Sequence, residues 1–480
     1  MSSSSTSGRP GALPRPRLVT DEARGPGDGG RLAAPALARE AALLTDLYQL
    51  TMAQAYLVEG MLEPAVFELF VRQLPAERNY LVACGLDDVL DYLENLQYSA
   101  DDLDYLASLG KFRPEFLEYL AGLRFTGEVR AMPEGTVFFA GEPVLEVVAP
   151  LPEAQLVETF ILNQVHFQTL VASKAARVVT AAAGRSIVDF GLRRYHGADA
   201  GLKAARAAYV AGVEATSNVL AGKVYGIPVA GTMAHSYILA HGDELEAFRQ
   251  FAAIYPDTVL LVDTYDTLEG VRRVIKLARE LGADFKVRAI RLDSGDLATL
   301  AQEARRMLYE AGLAGVGVFA SGDLDEHRVA DLVAADAPVT GFGVGTRMGT
   351  SADAPFLNCA YKLVEYAGRP CMKLSPAKMT LPGRKQVFRH MRGSRVAGDV
   401  VGMHDERQSG RPLLIPVMRD GRRLADASPW LARVRDYCRD ELTALPRDIL
   451  GLAPAEPPYP VDLSLPLKAE RDHLLRLLSG

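Results

Sequence analysis

Arg291 and Asp293 are spaced so that one strand could present a cation and a carboxylate side by side. They belong to the run Arg291-Leu-Asp293-Ser-Gly-Asp296, and alternate residues of a strand face the same way. A guanidinium can hold an acidic group through two hydrogen bonds, and a neighbouring carboxylate can hold a sugar diol or Mg²⁺. The alternative interpretation is a simple salt bridge that serves only the fold.

A glycine-rich run later in the chain could hold a phosphate. Gly341-Phe-Gly343-Val-Gly345-Thr346 places glycines at alternate positions and ends in a hydroxyl. Glycine lets the backbone come close to an anion, and successive backbone N–H groups form a concave anion site. Glycine-rich turns are common, so the run by itself is equally compatible with an ordinary loop.

Two further features would suit a flat, acidic ring and a reactive imidazole. Phe190 offers an aromatic face, and Arg193 offers a cation three residues later. His235 lies in the run 227–236, three residues after Thr232, where a short apolar segment breaks at a Gly-Thr turn. A single histidine is most often a satisfied core or loop residue. His235 stands out because other apolar runs in this half of the chain also end in Asp, Gly, Arg or Thr.

Repeated strand–helix units would bring these scattered residues together. From Ser186 onward apolar runs alternate with helical patterns, and the last strands begin at intervals of roughly 20 to 30 residues. We predict strands at 258–262, 286–292, 316–320 and 338–342. This repetition implies a parallel sheet, whose strand ends converge on one face. The residues predicted to line that face are Arg193, Ser217, Thr232, His235, Arg291, Asp293, Gly322, Asp323, Gly343, Gly345 and Thr346.

The remaining segments are predicted from composition and periodicity. Residues 1–36 are rich in Ser, Gly, Pro and Arg and should be disordered, and 37–184 should form an α+β N-terminal domain. Residues 185–366 should form an irregular TIM-like α/β barrel of parallel strands. The C-terminal segment, 367–480, should hold short strands and helices, some of which may join the N-terminal domain. Within that first domain we expect helices over 37–58, 79–96 and 154–183, the last broken near Ser173.

Bulk composition excludes some classes of function. The chain has 480 residues, with 53 basic and 60 acidic side chains and a formal net charge of −7. Proteins that bind nucleic acid are usually basic, so we expect no such partner and a local positive site for any phosphate. The four cysteines form no C-x-x-C pair, which predicts reduced cytoplasmic thiols and no metal cluster. No apolar run reaches the ~18 residues of a membrane span, and we expect no membrane partner.

Five motifs, in order along the chain, resemble those of the nicotinate phosphoribosyltransferase family. They are T-D-L-Y-Q-L-T-M (45–52), D-F-G-L-R-R (189–194), G-T-M-A-H-S (231–236), I-R-L-D-S-G-D-L (290–297) and G-F-G-V-G-T (341–346). The resemblance implies transfer of phosphoribosyl from phosphoribosyl pyrophosphate to nicotinate, which gives nicotinate mononucleotide and pyrophosphate and is coupled to ATP hydrolysis. It further implies NAD biosynthesis by the salvage (Preiss-Handler) route, Mg²⁺, and a cytoplasmic homodimer with shared active sites.

The resemblance also implies a role for each matching residue. His235 would be the histidine that ATP phosphorylates, and Asp293 would face the ribose hydroxyls. Mg²⁺ would be carried mainly by substrate phosphates, and the domain that holds Tyr48 would complete a neighbouring subunit's site. Nicotinate would be bound by Tyr48, Phe190, Arg193, Thr232 and Arg291. The phosphoribosyl group and its phosphate would be bound by Ser217, Gly322, Asp323, Gly343, Gly345 and Thr346.

Three other interpretations stay open from the sequence. A nicotinamide-using relative with the same barrel would favour an Asp near the ring, whereas the matching run Ala215-Thr-Ser-Asn218 contains no carboxylate. A non-catalytic nucleotide sensor on the same barrel would be expected to lack His235, Arg291 or the glycine-rich run, and all three are present. An unrelated phosphate-binding barrel enzyme such as an aldolase would want a strand-end lysine as a Schiff base, and no lysine is convincingly placed for it.

Overall fold

The first part of the chain mixes helices and strands without regular alternation. The computed structural model describes residues 41–375 and 378–479, so the tail predicted over 1–36 lies outside the described residues. The elements of this part are α1 (Leu47–Val58), β1 (Pro64–Val71), β2 (Leu81–Val82), α2 (Leu86–Asn95), α3 (Ala100–Ser108), α4 (Pro114–Gly122), β3 (Glu128–Ala131), β4 (Val137–Phe138), β5 (Pro143–Pro150), α5 (Leu151–Leu156) and α6 (Glu158–Ala181).

From Ser186 the chain alternates strands with helices, as its sequence predicts. The elements of this second part are β6 (Ser186–Asp189), α7 (Ala198–Val210), β7 (Ala215–Thr216), α8 (Val219–Tyr225), α9 (His235–His241), α10 (Glu244–Ile254), β8 (Val259–Leu261), α11 (Thr267–Leu281), β9 (Ala289–Leu292), α12 (Leu297–Glu310), β10 (Gly317–Ala320), α13 (Glu326–Ala334), β11 (Gly341–Val344) and α14 (Thr346–Gly349).

The last part of the chain returns mainly to antiparallel strands. Its elements are β12 (Cys359–Tyr366), β13 (Arg369–Pro370), β14 (Lys385–Arg392), β15 (Arg395–Met403), β16 (Arg411–Pro412), β17 (Ile415–Arg419), β18 (Arg422–Arg423), α15 (Leu431–Ala444), α16 (Arg447–Leu450), β19 (Val461–Leu463) and α17 (Leu465–Ser479).

A curled parallel sheet carries the strand ends of interest. Six described strands follow one another in the order β7-β6-β11-β10-β9-β8, and each neighbouring pair is parallel. The short strands are buried, and the helices that follow them turn an apolar face to the sheet; in α11 that face includes Val271, Val274 and Leu277. The predicted α/β class, with an irregular barrel of parallel strands, is therefore confirmed.

A second, antiparallel sheet holds the rest of the structure together. Its order is β13-β12-β1-β5-β3-β17-β18, so it combines strands from the first and last parts of the chain. This confirms that the N-terminal domain takes in C-terminal strands. β12 also joins this sheet, although it lies inside the segment 185–366. Separate buried clusters fill the two bodies, one around Ile290 and Phe342 and the other around Phe67 and Tyr361.

Two helix predictions in the first domain are wrong in their details. The segment 79–96 is helical only from Leu86, because Gly85 has φ 106° and its α-carbon lies against the Gln164 carbonyl, so a helix cannot run through it. The predicted break in 154–183 lies at Val157, between α5 and α6. Ser173 stays helical because its hydroxyl donates to the Thr169 carbonyl within the same helix, at 2.6 Å.

The strand predicted over 338–342 is displaced toward the C-terminus. Pro338 has no backbone N–H to donate, and the ladder with β6 begins where Gly341 lies opposite Ser186. Gly343 is therefore inside β11 and lies opposite Val188, whereas the sequence placed it beyond the strand end.

Candidate functional site

A cavity of about 350 Å³ opens where the strands of the parallel sheet end. Four arginines and two aspartates line it, which gives a local excess of positive charge in a chain whose formal net charge is −7. A local positive site of this kind is what a phosphate-bearing ligand needs in an acidic protein. The lining residues are Phe190, Arg193, Arg194, Arg291, Asp293, Ser294, Gly295, Leu297, Ser321, Gly322, Asp323, Leu324, Arg328, Gly343, Gly345 and Thr346.

Arg291 is held in one orientation by three side chains. Its Nε donates to Ser321 Oγ at 2.8 Å, Nη1 donates to Thr232 Oγ1 at 3.0 Å, and Nη2 donates to Asp293 Oδ1 at 2.8 Å. The guanidinium carbon also lies 5.3 Å from the centre of the Phe190 ring. The fixed guanidinium and the aromatic face contact each other and form one preorganised wall of the cavity, which suits a flat anionic ring better than a mobile cation would.

The ring of Phe190 fits across β11 only because Gly343 has no side chain. A β-carbon added at Gly343 would lie 2.6 Å from Cδ2 of Phe190 and 3.1 Å from Cε1 of Phe319. The two phenylalanine rings are themselves tilted against each other, with centroids 5.9 Å apart. Gly343 thus makes space for the aromatic face, and because it also lines the cavity its contact with the phosphoribosyl group stays a prediction.

Asp293 is ionised at neutral pH because of its neighbours. Burial alone would raise the pKa of this carboxyl, but Arg291, a hydrogen bond from Ser321 and nearby His235 together lower the pKa below its usual value. Its backbone N–H donates to Asp263 Oδ2 at 2.9 Å, which fixes the turn after β9. The site therefore presents a fixed negative charge beside the guanidinium of Arg291.

His235 lies at the edge of this cavity, at the start of α9. Its Nδ1 is 3.0 Å from Thr264 Oγ1, and its Nε2 is 3.9 Å from Asp293 Oδ2. The ring thus touches residues that follow two different strands, β8 and β9. With one ring nitrogen engaged by a hydroxyl, the imidazole has a defined orientation.

The other end of the cavity has the features of an anion site. Arg194 Nη1 donates to Thr346 Oγ1 at 3.3 Å and lies 3.7 Å from Asp323 Oδ1. Gly345 packs so closely on the backbone of 190–191 that a β-carbon there would lie 2.9 Å from a carbonyl carbon. Gly322 has φ 96°, and a β-carbon on it would lie 2.0 Å from the Asp293 carbonyl oxygen. Gly345 therefore lets its loop approach the backbone of 190–191, and Gly322 lets its loop approach the turn after β9.

The strand-end aspartates divide into two groups with different tasks. Asp293 and Asp323 line the cavity. Asp266, Asp296 and Asp325 instead accept a hydrogen bond from a backbone N–H in the first turn of the next helix, and so cap α11, α12 and α13. After β9 and after β10, therefore, the earlier carboxylate faces the site and the later one caps the next helix.

Four of the predicted site residues lie outside the cavity lining: His235, which contacts the lining residue Asp293, and the three that follow. Thr232 is adjacent, since its hydroxyl accepts from Arg291. Ser217 lies beyond β7, where its N–H donates to the Asp189 carbonyl at 2.8 Å. Tyr48 lies on α1 with 48% of its surface exposed, and burial together with nearby Glu158 raises its pKa. Its hydroxyl does not reach the cavity of the same chain.

Several lining or supporting residues received no role from the sequence. Arg194, Ser321 and Thr264 each follow a strand and lie within runs that the sequence analysis quoted or bordered, so their position was a usable signal. Arg328 is different, because it lies on α13, where its spacing indicates only an exposed helix face.

The described residues contain neither a metal-ligand group nor a membrane-spanning helix. Within 41–375 and 378–479, no group of three or more His, Cys, Asp or Glu side chains is arranged to hold a metal ion. No helix in the same part of the chain is long and apolar enough to cross a membrane.

Comparisons with known proteins agree with this geometry. Family models described as the nicotinate phosphoribosyltransferase N-terminal domain and the nicotinate phosphoribosyltransferase family match residues 43–166 and 185–384. A nicotinate phosphoribosyltransferase of Mycobacterium tuberculosis is 54% identical over 423 residues, which cover 88% of this chain and 91% of that protein. One from Bacillus subtilis is 42% identical over 454 residues, with coverage of 88% and 92%.

Solved structures give the same answer. The crystal structure of human nicotinic acid phosphoribosyltransferase superposes with a TM-score of 0.79 at 30% identity and covers 91% of this chain and 100% of its own. A nicotinate-nucleotide pyrophosphorylase from Pyrococcus furiosus superposes with a TM-score of 0.71 at 26% identity, with coverage of 86% and 97%. This chain belongs to the nicotinate phosphoribosyltransferase family.

Proposed function

We propose that this enzyme of NAD biosynthesis transfers the phosphoribosyl group of phosphoribosyl pyrophosphate to nicotinate, with ATP hydrolysis coupled through phosphorylated His235. The products are nicotinate mononucleotide and pyrophosphate, which places the reaction in the salvage route. One observation supports this more than any other: the wall formed by Phe190 and Arg291 lines the same cavity as Arg194 and Thr346. A ring site and a phosphate site joined in this way fit a mononucleotide.

The ring end of the cavity would bind nicotinate. The pyridine ring would lie against Phe190, with its carboxylate near the arginines. Arg291 already spends three donor nitrogens on Thr232, Ser321 and Asp293, so the exposed Arg193 is the cation with more freedom to reach the carboxylate. Holding the ring nitrogen in line with C1 of the ribose could supply up to ~7–11 kcal/mol through orientation.

The charges in the cavity match those that develop during transfer. Departure of pyrophosphate leaves positive charge on the ribose, which the ionised Asp293 would stabilise while it faces the sugar hydroxyls. The 5′-phosphate would lie against Gly322, Gly345 and Thr346. Asp323, being a carboxylate, would serve that phosphate indirectly, by orienting the guanidinium of Arg194.

The residues fit a Mg²⁺ ion that arrives with the substrate better than a resident metal. Mg²⁺ usually keeps several waters and is held by one or two carboxylates together with substrate phosphates. Asp293 and Asp323 are the carboxylates in the cavity lining, and among the described residues no group of three or more His, Cys, Asp or Glu side chains is arranged to hold a metal ion. Bound there, the ion would neutralise charge on the pyrophosphate.

In this proposal His235 would couple ATP hydrolysis to the reaction. A neutral imidazole nitrogen can attack the γ-phosphoryl group of ATP, and the phosphorylated ring would add negative charge at the cavity edge. The 3.9 Å separation between His235 Nε2 and Asp293 Oδ2 would let that charge act on the group that faces the ribose. After transfer, hydrolysis of the phosphohistidine would release inorganic phosphate and return His235 to its free form.

Tyr48 supports a shared site in a homodimer. It is exposed on α1, away from the cavity of its own chain, so it could act only across a subunit boundary.

The choice of nicotinate over nicotinamide is supported by the run 215–218, where Asn218 caps α8 and no carboxylate is present to receive an amide. The cytoplasmic location predicted from the cysteines stays a prediction.

An omission assay tests the proposed function. Pyrophosphate and ADP release would be measured with nicotinate, phosphoribosyl pyrophosphate, ATP and Mg²⁺, leaving out each in turn. We expect pyrophosphate release to require nicotinate and the phosphoribosyl donor, and to be faster with ATP. A preference for nicotinamide would assign the alternative activity, and no pyrophosphate release with either acceptor would indicate a non-catalytic sensor.

A further inference from the structure

Tyr195 lies beneath the cavity without lining it, and its hydroxyl reaches a buried carboxylate. Asp189 is 1% exposed at the end of β6, and its Oδ1 accepts from the Tyr195 hydroxyl at 2.5 Å and from the Gly191 N–H at 2.9 Å. Its Oδ2 accepts from Thr216 Oγ1 at 2.8 Å. Burial raises the pKa of Asp189 against these hydrogen bonds, and burial beside Asp189 raises the pKa of Tyr195, so the tyrosine stays a neutral donor.

The ring of Tyr195 is wedged between two glycines that belong to different loops. A β-carbon on Gly191 would lie 2.2 Å from its Cζ, and one on Gly349 would lie 2.0 Å from its Cε1. Gly191 is in the loop 190–194, which carries Phe190, Arg193 and Arg194. Gly349 ends the turn that begins at Thr346. The ring therefore contacts the loop at the ring end of the cavity and the loop at the phosphate end.

Direct backbone contacts join the same two loops above the tyrosine. The N–H of Phe190 donates to the Val344 carbonyl at 2.9 Å, and Gly345 packs against the backbone of Gly191. With Tyr195 below and these contacts above, the separation between the two loops is fixed from both sides. A ligand that spans both loops would bind best when this separation is set in advance.

We propose that Tyr195 is a positioning residue that holds the loop 190–194 against the loop 345–349, so that the two ends of the cavity keep the spacing of a mononucleotide. Asp189 anchors its hydroxyl, and Gly191 and Gly349 give its ring room. The inference rests on the proposed function, because it takes the two loops to bind the ring and the phosphate of one product.

The conservative variant Tyr195→Phe tests the hydroxyl, and Tyr361→Phe is its matched control. Tyr361, on β12 of the antiparallel sheet, is also buried and does not line the cavity, and its hydroxyl donates to the Ala154 carbonyl of α5 at 2.8 Å. In Tyr195→Phe we expect KM to rise roughly 3- to 10-fold for both nicotinate and the phosphoribosyl donor, as one lost hydrogen bond would cause, with kcat changed less. Amide exchange should quicken in both 190–195 and 345–352.

A second variant disturbs the packing of the Tyr195 ring between Gly191 and Gly349 without removing the hydroxyl. Gly349→Ala would push the tyrosine ring aside, and we expect the same joint rise in both KM values. The control Tyr361→Phe should alter Tm at most and leave both KM values as in the wild type.

Three outcomes would overturn the inference: wild-type KM values and exchange in Tyr195→Phe, a rise confined to one substrate, or an equal rise in the control. The omission assay on the wild-type chain separates these results from failure of the proposed function. If the wild type showed no transfer, amide exchange would still report whether Tyr195 holds the two loops together.

Discussion

The imidazole Nε2 of His235 lies 3.9 Å from Oδ2 of Asp293, while Oδ1 of the same carboxylate accepts from Arg291 at 2.8 Å. One carboxylate thus connects the histidine at the cavity edge with the guanidinium over Phe190. Arg291 and Asp293 lie at the end of β9, whereas His235 begins α9 much earlier in the chain, and the parallel sheet brings these two segments together. The predictions below test each side of this connection.

Replacement of His235 should separate phosphoribosyl transfer from its dependence on ATP. We expect His235→Ala to retain slow transfer and to lose ATP stimulation, because the imidazole serves the coupling and not the transfer itself. Rates of pyrophosphate release with and without ATP provide the measurement. His241→Ala, on the same helix but with its Nδ1 on the Tyr237 carbonyl at 2.9 Å and not beside Asp293, should keep the stimulation. Unchanged ATP stimulation in His235→Ala would remove the histidine from the coupling step.

Removal of the guanidinium at 291 should weaken nicotinate binding. We expect Arg291→Ala to raise the nicotinate KM roughly 10-fold or more. The change removes the guanidinium over Phe190 together with its hydrogen bonds, and hydrogen bonds to charged groups contribute about 1.5–3 kcal/mol. Steady-state kinetics at saturating phosphoribosyl donor give the value. Arg306→Ala, an exposed arginine on α12 paired only with Glu303 and Glu310 of its own helix, is the control and should behave like the wild type. A wild-type nicotinate KM in Arg291→Ala would place the ring elsewhere.

The lowered pKa of Asp293 predicts a specific dependence of stability on pH. Because the folded pKa lies below the unfolded value of about 3.9, the unfolded chain binds more protons between the two values, and acid favours unfolding. The stabilisation from this ionised carboxyl is present above about pH 4 and is lost as the pH falls through the folded pKa. We therefore expect the Tm difference between the wild type and Asp293→Asn to shrink as the pH is lowered from 7 toward 3. A difference independent of pH would show that the charge is not involved.

A methyl group at residue 343 should damage the ring end of the cavity alone. The added β-carbon of Gly343→Ala would lie 2.6 Å from Phe190, so the aromatic ring must move. We expect the nicotinate KM to rise while the KM of the phosphoribosyl donor changes little, in contrast to the joint rise expected for Tyr195→Phe. Kinetics with each substrate varied in turn distinguish the two. An increase only in the donor KM would restore Gly343 to the phosphate site.

The sequence predicts the parallel sheet and most of the cavity because both depend on local signals. An apolar run that ends in Asp, Arg or Gly marks a strand end, and the strand–helix repetition implies that such ends converge. Arg291, Asp293 and Thr346 were predicted to share one face for this reason, and the structure places them in one cavity lining. The local positive site in an acidic chain was expected on the same grounds.

What the sequence does not show depends on contacts between distant segments. The role of Gly343 follows from the ring of Phe190, which crosses β11 from the neighbouring strand end, and no local pattern around residue 343 encodes that contact. The segment 79–85 has helical periodicity, yet pairing of β2 with β4 and the close approach of Gly85 to Gln164 override it. Tyr195 also received no role from the sequence, because its partners Asp189, at the end of β6, and Gly349, at the end of α14, lie on segments that are distant in the chain.

A crystal structure of the protein with nicotinate mononucleotide tests the central claim most directly, because that ligand must occupy both ends of the cavity at once. We predict density for the pyridine ring against Phe190, with its carboxylate within hydrogen-bond distance of Arg193 or Arg291, and the phosphate in contact with Gly345, Thr346 or Arg194. Ligand density outside this cavity, with no density against Phe190 and Arg291, would contradict it.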